Sequence, residues 1–219
     1  MKFIGGMDEA GRGPVLGPMV ICGLAVEEEQ LRTFAEIGVK DSKLLTPKKR
    51  ELLAGEIRKI TSSIVVREIS AADIDAQRAE ISLNEIEVRA MGAILAELHP
   101  DVIYIDAVDV NEERFGLNVL KYSELTDVEV IAEHKADFNY PVVGAASIIA
   151  KTTRDAEIRK LKENYGEIGS GYTSDEKTIR FLEAWVAENK DLPPFARRSW
   201  KTAQNILNAQ IKQKKITDF

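Results

Sequence analysis

The chain has little of what stabilises secreted or membrane proteins. Cys22 is the single cysteine among 219 residues, so an intramolecular disulfide is excluded, and its apolar neighbours favour a buried thiol. No stretch approaches the roughly 20 apolar residues of a membrane span, and the N-terminus lacks the apolar segment of a signal peptide. We therefore expect a soluble, cytoplasmic protein that makes no membrane contact.

Aromatic residues are also scarce, at 6%, whereas 44% hydrophobic and 30% charged residues are ordinary values for a globular enzyme with one good-sized core. The net charge of -6 does not favour a nucleic-acid binder, since such proteins are more often basic. Basic residues nevertheless cluster at 40–50, 154–162, 197–201 and 212–215. Local basic patches on an acidic protein fit an anionic substrate that is held partly through metal ions.

Hydrophobic patterning predicts strands first, then alternating strands and helices, and finally helices alone. The predicted strands cover residues 2–7, 17–26, 61–69, 102–105 and 128–132. Helices are predicted after a Thr46 cap, after a Ser82 and Glu85 capping box, over 142–164, after a Thr173 and Glu176 cap, and over 199–213. This order predicts an α/β fold with a mixed central sheet flanked by helices, divided into a domain at 1–170 and a helical C-terminal extension at 171–219.

The segment Asp8-Glu9-Ala10-Gly11-Arg12-Gly13 sets two carboxylates beside a glycine and arginine loop, directly after the first predicted strand. Adjacent carboxylates repel one another unless a cation lies between them. The loop offers backbone N–H groups and a planar cation, both suited to phosphate or sugar oxygens. The pattern favours metal-assisted phosphodiester chemistry, although an isolated Asp-Glu pair is more often a solvated surface turn.

Two more aspartates occupy comparable places. Asp106 follows the apolar run 102–105, and Asp137 lies shortly before the helix predicted after Pro141. Strand ends are where open α/β sheets place their functional sites. Carboxylates that converge there would hold two Mg²⁺ or Mn²⁺ ions. Taken singly, each aspartate is more often a turn or cap residue.

In combination, these motifs resemble the type 2 ribonuclease H family, ribonuclease HII. The resemblance follows the family's order along nearly the whole chain, and the compact size and His-Lys-Ala-Asp form resemble archaeal members. Its motifs are Asp8 to Pro14, Asp41-Ser42-Lys43-Leu44, Ile105-Asp106, Ala136-Asp137 with Tyr140 to Lys151, and Gly169-Ser170-Gly171-Tyr172.

The resemblance implies a ribonuclease H-like fold in the domain at 1–170. It also implies an endoribonuclease that hydrolyses the RNA strand of RNA–DNA hybrids and incises 5′ of single ribonucleotides embedded in duplex DNA. Four acids, Asp8, Glu9, Asp106 and Asp137, would be both catalytic residues and ligands of Mg²⁺ or Mn²⁺. Water would attack in line at a two-metal site and leave 3′-hydroxyl and 5′-phosphate ends.

By similarity, Gly11, Arg12, Gly13 and Tyr172 hold the ribonucleotide, whose 2′-hydroxyl distinguishes RNA from DNA. The candidate phosphate contacts are Lys43, Ser147 and Lys151. Two alternatives stay open, since Lys151 fits a solvated helix residue and Tyr172 fits an exposed loop anchor. His134 is more often a structural residue than a ligand, and we assign it no catalytic role.

The C-terminal segment resembles the motif by which replication and repair proteins bind the sliding clamp. Gln213, Ile216 and Phe219 match its glutamine, aliphatic and first aromatic positions, and the second aromatic is missing. The sequence therefore predicts a weak or moderate clamp interaction, with a frayed terminus as the alternative. We expect a monomer.

Two other functions share some of these features. Ribonuclease HIII shares the acidic framework, but its loop resembles Gly-Lys-Gly and it carries an extra N-terminal domain, which we do not expect where the first strand begins at Lys2. A non-catalytic nucleic-acid or sliding-clamp adaptor is disfavoured, because four acids without metal would repel each other and a nucleic acid.

Overall fold

A five-stranded sheet organises the first part of the protein. The computed structural model describes residues 1–39 and 45–217, with 211–217 described by backbone alone. The strands are β1 (Phe3–Ala10), β2 (Met19–Glu27), β3 (Ser63–Ile69), β4 (Val102–Asp106) and β5 (Glu129–Glu133), in the order β3-β2-β1-β4-β5. β1 pairs antiparallel with β2 and parallel with β4, and β4 pairs parallel with β5. The predicted α/β class with a mixed sheet is confirmed.

Helices follow or separate the strands. They are a 3₁₀ turn (Glu28–Gln30), α1 (Leu31–Glu36), α2 (Pro47–Ile60), α3 (Ala71–Arg78), α4 (Leu83–Leu98), α5 (Glu112–Ser123), α6 (Ala136–Asn139), α7 (Pro141–Tyr165), α8 (Glu176–Asn189) and α9 (Lys201–Thr217). Two predicted caps are confirmed: the Thr46 hydroxyl accepts from Lys49 N at 3.3 Å, and the Ser82 hydroxyl accepts from Glu85 N at 3.1 Å. Among the described helices, none has both the length and the apolarity needed to cross a bilayer.

The first strand extends further than the sequence suggested. β1 continues to Ala10, so Asp8 and Glu9 lie within the strand and pair with Cys22 and Ile21 of β2. The prediction ended the strand at residue 7 because charged side chains usually mark a strand end. Ladder hydrogen bonds involve only the backbone, however, and the long apolar β2 holds the acidic residues in the sheet.

Two helix starts were also predicted wrongly. Asp175, not Thr173, caps α8, and its carboxylate accepts from Lys177 N at 3.0 Å. The last helix begins at Lys201 rather than at residue 199, and it continues past 213. Helices α1, α3, α5 and α6 were not predicted. α1, α3 and α6 are short and leave little periodic signal in the sequence, whereas the longer α5 is amphipathic and its pattern was visible.

The chain forms two compact units that interleave in sequence. The first unit comprises Met1–Ala10, Val20–Glu68 and Ser82–Thr153, and the second comprises Gly11–Met19, Ile69–Ile81 and the chain from Arg154 onward. The domain boundary at residue 170 stays a prediction.

The core of the first unit lies between the sheet and α7. Buried apolar residues of β1 and β2 pack with the small and apolar residues of α7 from Val142 to Ala150. The helix begins close against β1, since a Cβ at Gly6 would lie 2.4 Å from the carbonyl carbon and oxygen of Val142. Cys22 is fully buried, and burial raises the pKa of its thiol, as expected for a structural cysteine.

The second unit has its own core. Val15 and Leu16 pack with apolar residues of the 168–207 region, including Leu182 and Val186 of α8. Leu16 forms an isolated antiparallel bridge with Ala196. The segment that follows Gly11 is therefore held by residues from the far end of the sequence.

Candidate active site

Strand register brings two of the predicted acids to one place. Met7 of β1 pairs with Ile105 of the parallel strand β4. Asp8 and Asp106 each follow this pair by one residue, so their side chains leave neighbouring strands on the same face of the sheet. Both strands run in the same direction, and the two carboxylates therefore meet at the carboxyl end of the parallel strands, where such sheets place their sites.

Asp137 joins this pair from α6. The Ala136 N–H at the start of α6 donates to Asp106 Oδ1 at 3.0 Å, which ties the helix to the end of β4. Asp8, Asp106 and Asp137 each offer a carboxylate oxygen, and these three oxygens lie within 4.8 Å of one another. Asp8 and Asp137 are buried, whereas Asp106 is half-buried. Three carboxylates at this spacing form a cluster of ligand oxygens of the kind that binds divalent cations.

The cluster is electrostatically unfavourable without a cation. Burial raises the pKa of Asp8 well above its ordinary value, and repulsion from Glu9 and Asp106 raises it further. The Ser147 hydroxyl and the Lys151 ammonium act in the opposite direction and favour the ionised form of Asp8.

Ser147 and Lys151 both come from α7, one turn apart. Lys151 Nζ donates to Ser147 Oγ at 2.7 Å, and Ser147 itself is fully buried. The structure therefore brings two of the predicted phosphate contacts to the acid cluster and links them to Asp8.

Glu9 lies next to the aspartate cluster and faces a second acid. Burial raises the pKa of Glu9 to about 7, and repulsion from Glu87 of α4 is the next largest cause. Repulsion from Asp106 contributes as well, while a hydrogen bond with Asp8 opposes the shift. Within the described chain, Glu9 Oε2 is buried and has no hydrogen-bond partner. A buried carboxylate oxygen in this condition fits a place for a cation.

Glu87 was not predicted as part of the site. Its side chain is 0% exposed, although it lies on an otherwise amphipathic helix. The sequence did contain a signal, because Glu87 is four residues after Leu83 and four before Met91 and therefore lies on the apolar stripe of α4. An acid on a buried stripe indicates a specific electrostatic role.

The predicted ribonucleotide-binding residues lie together in the second unit. A Cβ at Gly13 would be 4.0 Å from Tyr172 Cε1, so the glycine loop and the tyrosine ring are neighbours. The carbonyl of Gly171 accepts from the N–H groups of Val15 and Leu16 at 2.8 and 3.2 Å, which joins the two segments. Tyr172 is 42% exposed, so its ring is accessible to a ligand.

Arg154 packs between these two segments. Its guanidinium carbon lies 5.3 Å from the centre of the Tyr172 ring, and its Nη2 donates to the carbonyls of Leu16 and Ser170, at 3.4 Å each. Gly11 has a φ of +84°, and a Cβ there would lie 2.3 Å from Arg154 Cδ, so glycine is required for both conformation and space. The sequence placed Arg154 in a basic surface cluster, but its side chain is buried.

Some predicted residues lie outside what the structure describes. Lys43, with its Asp41 to Leu44 motif, and Phe219 are outside the described residues. Gln213 and Ile216 lie in α9, where only the backbone is described. His134, to which no catalytic role was assigned, has its Nδ1 3.0 Å from the carbonyl of Ala107.

Comparison with known proteins reveals the family of this chain. The family model described as Ribonuclease HII matches residues 5–203. The ribonuclease HII of Thermococcus sibiricus is 48% identical over 213 residues, covering 96% of this chain and 94% of that protein. The crystal structure of the ribonuclease H2 from Pyrococcus horikoshii has a TM-score of 0.91 at 43% identity, covering 96% of this chain and 99% of that one. The PCNA:RNase HII complex from Archaeoglobus fulgidus has a TM-score of 0.85 at 41% identity, covering 93% and 96%.

The fold is therefore ribonuclease H-like, with a carboxylate cluster at the end of its parallel strands. The chain belongs to the ribonuclease HII family. It is accordingly a ribonuclease H, an enzyme that acts on RNA–DNA hybrids, and its family depends on divalent metal ions. This membership decides against both the ribonuclease HIII alternative and the non-catalytic adaptor.

Proposed function

We propose that this enzyme also incises duplex DNA on the 5′ side of a single embedded ribonucleotide and leaves 3′-hydroxyl and 5′-phosphate ends. The observation that carries the proposal is the position of Gly13 beside the exposed Tyr172 ring. A glycine loop lets its backbone approach a ribose closely, and an accessible aromatic ring offers a flat surface for the sugar. A lone 2′-hydroxyl has to be recognised by groups of this kind, since it is the only difference from DNA.

Asp8, Glu9, Asp106 and Asp137 would hold two divalent ions, Mg²⁺ or Mn²⁺. Their fit to such ions rests on the 4.8 Å cluster and on the buried, unpartnered Oε2 of Glu9. When bound, the ions supply a water of lowered pKa as the nucleophile and stabilise the charge that develops on the leaving 3′-oxygen.

Residues of α7 support this cluster. The Ser147 hydroxyl and the Lys151 ammonium oppose the rise in the pKa of Asp8, and so they favour the ionised form of a ligand carboxylate. We assign Lys151 to the scissile phosphate, since its ammonium lies next to the cluster and carries the opposite charge. Ser147 is fully buried, and it acts by orienting Lys151 and Asp8.

One assay tests both the reaction and the site. A labelled duplex with one ribonucleotide is incubated with Mg²⁺ or Mn²⁺ and wild-type enzyme, Asp8→Asn or Asp127→Asn. Wild type is expected to cut 5′ of the ribonucleotide, and Asp8→Asn to be slower by about a hundredfold or more. Asp127→Asn is the matched control, because Asp127 is an exposed partner of His99 on the surface.

Each failure has a separate meaning. An intact duplex, under conditions in which wild type hydrolyses an RNA–DNA hybrid, would refute ribonucleotide incision alone. Undiminished incision by Asp8→Asn would refute the assignment of the site.

We also propose that the C-terminal segment binds a sliding clamp. The proposal rests on the Gln213, Ile216 and Phe219 pattern and on the likeness to the Archaeoglobus fulgidus protein, which is seen in complex with PCNA. Titration of that PCNA with the full chain and with a chain that ends at residue 210 compares the two affinities. Weaker binding by the shortened chain is expected, and equal affinities would refute the proposal.

A further inference from the structure

Arg197 is a buried cation whose hydrogen bonds converge on the glycine loop. The sequence placed it in a basic surface cluster, yet its side chain is 0% exposed. Its Nη2 donates to Gly11 O at 2.6 Å, its Nη1 to Arg12 O at 2.8 Å, and its Nε to Gly17 O at 3.1 Å. One guanidinium therefore fixes three carbonyl groups, two of which belong to the predicted ribonucleotide-binding loop.

Trp200 completes the arrangement. Its Nε1 donates to Gly13 O at 3.0 Å, so the carbonyls of all three residues 11–13 accept from the segment 197–200. The guanidinium carbon of Arg197 lies 4.8 Å from the centre of the Trp200 ring, and the cation and the indole thus support each other.

The direction of the loop's carbonyl groups also fixes the direction of its N–H groups. The structure contains no cis peptide bond among its described residues, and in a trans peptide the N–H points away from the carbonyl. Because the carbonyls of Gly11 and Arg12 face Arg197, the N–H groups of Arg12 and Gly13 point in the opposite direction. Pro14 has no N–H, so the N–H groups that this geometry orients are those of Arg12 and Gly13.

Only arginine fits this position. Burying a charged group is costly unless hydrogen bonds satisfy it, and here three carbonyls do so. The planar guanidinium directs several donors at fixed angles, whereas a lysine ammonium is a compact group that cannot span all three oxygens. Arg154 restrains the loop from another direction, since it leaves no room for a side chain at Gly11.

We propose that Arg197 is a positioning residue that holds the loop 11–13 ready to recognise a ribonucleotide, with Trp200 as its support. This inference rests on the proposed function of the loop. It assigns specificity to a buried residue near the C-terminus that has no place in the metal site.

The test compares Arg197→Lys with Arg198→Lys. Both variants keep the charge, and the neighbouring Arg198 pairs with Asp191 at 2.6 Å instead of binding the loop. Incision of a duplex with one ribonucleotide gives kcat and KM, and the all-DNA duplex of the same sequence, added as a competitive inhibitor, gives Ki. The ratio KM/Ki reports ribonucleotide recognition and does not depend on the fraction of active enzyme.

Arg197→Lys is expected to lower kcat/KM about tenfold or more and to raise KM/Ki, with Ki itself changing less than about twofold. Arg198→Lys should leave all three values within about twofold of wild type. Trp200→Phe keeps an aromatic ring but removes the donor to Gly13 O. It should raise KM/Ki by a factor between those of Arg198→Lys and Arg197→Lys. This milder variant decides the matter if Arg197→Lys does not fold.

An unchanged KM/Ki in Arg197→Lys, with or without a lower kcat, would overturn the inference and leave the proposed function standing. If Arg197→Lys does not fold, an unchanged KM/Ki in Trp200→Phe would likewise overturn the inference. Failure of wild type to incise the ribonucleotide duplex would overturn the proposed function and the inference together.

Discussion

Metal binding by this enzyme is expected to release a proton from Glu9. Burial and the repulsion from Glu87 raise the pKa of Glu9 to about 7, from an ordinary value of 4.5. At pH 6 about nine-tenths of this carboxyl is therefore protonated in the metal-free enzyme. A cation needs the carboxylate, and its charge lowers the pKa of every acid around it, so binding expels nearly one proton at Glu9.

The magnitude follows from this titration. The proton released at Glu9 should by itself lower the apparent dissociation constant for metal about tenfold for each pH unit between about pH 5 and 6.5, and this contribution should level off above about pH 7. Asp8, whose pKa is also raised, adds to the dependence on pH. Metal affinity should thus rise with pH, whereas the free energy of unfolding of the metal-free protein should fall with pH. Because the folded-state pKa of Glu9 is raised, its protonated form favours folding, and this contribution is lost as pH rises from about 4.5 to about 7. The loss from Glu9 amounts to about 3 kcal/mol.

Calorimetric titration with Mn²⁺ at pH 6, in two buffers of different ionisation enthalpy, counts the protons released. Glu9→Gln is the matched variant, since it keeps the shape of the side chain and carries no titrating proton. It should release about one proton fewer than wild type. Equal proton release by the two proteins, or a dissociation constant that does not change between pH 5 and 6.5, would refute the reasoning.

Two further predictions concern stability, one through close packing and one through buried hydrogen bonds. Gly6→Ala should lower the free energy of unfolding by about 3 kcal/mol, because the new Cβ would lie 2.4 Å from backbone atoms of Val142. Gly55→Ala is the contrasting variant, since a Cβ there would meet nothing within 4 Å, and it should raise the free energy of unfolding by about 1 kcal/mol. Equal urea midpoints for this pair would contradict the model of the β1–α7 contact. Thr178→Val should lower the free energy of unfolding by about 2 kcal/mol, because the buried hydroxyl accepts from Gly171 N and donates to Ile168 O. Thr178→Ser keeps the hydroxyl, so its thermal unfolding midpoint should stay closer to that of wild type than the midpoint of Thr178→Val does.

The acidic cluster was predictable because its residues occur in long local motifs. Asp106 ends an apolar run of the kind expected for a buried strand, and its place beside Asp8 then follows from parallel pairing. The length of β1 was not predictable from local sequence, since the partner strand β2 determines how far the ladder extends past Met7. Tertiary pairing overrides side-chain preference in such a case.

The buried charges were the other part that sequence did not predict. Arg154 and Arg197 occur among other basic residues, and in sequence they resemble members of solvated patches. Their burial depends on carbonyl groups of residues more than a hundred positions away. Glu87 differs, since its place on the apolar stripe of α4 was visible. Non-local hydrogen-bond partners leave no such trace in a single sequence.

The hydrogen bond between Arg197 and Gly11 joins residues 186 positions apart. A ribosome that adds about 5–20 residues each second needs roughly 10–40 s to pass from one to the other. All the acids of the site have been made by residue 137, and their compact unit is complete at Thr153. The glycine loop belongs to the unit that needs the chain from Arg154 onward. A nascent chain therefore contains every carboxylate of the site before the loop can be held in place, and contacts of such long range also form slowly. Under the role proposed for the loop, the polypeptide gains its metal ligands before it gains the means to select a substrate.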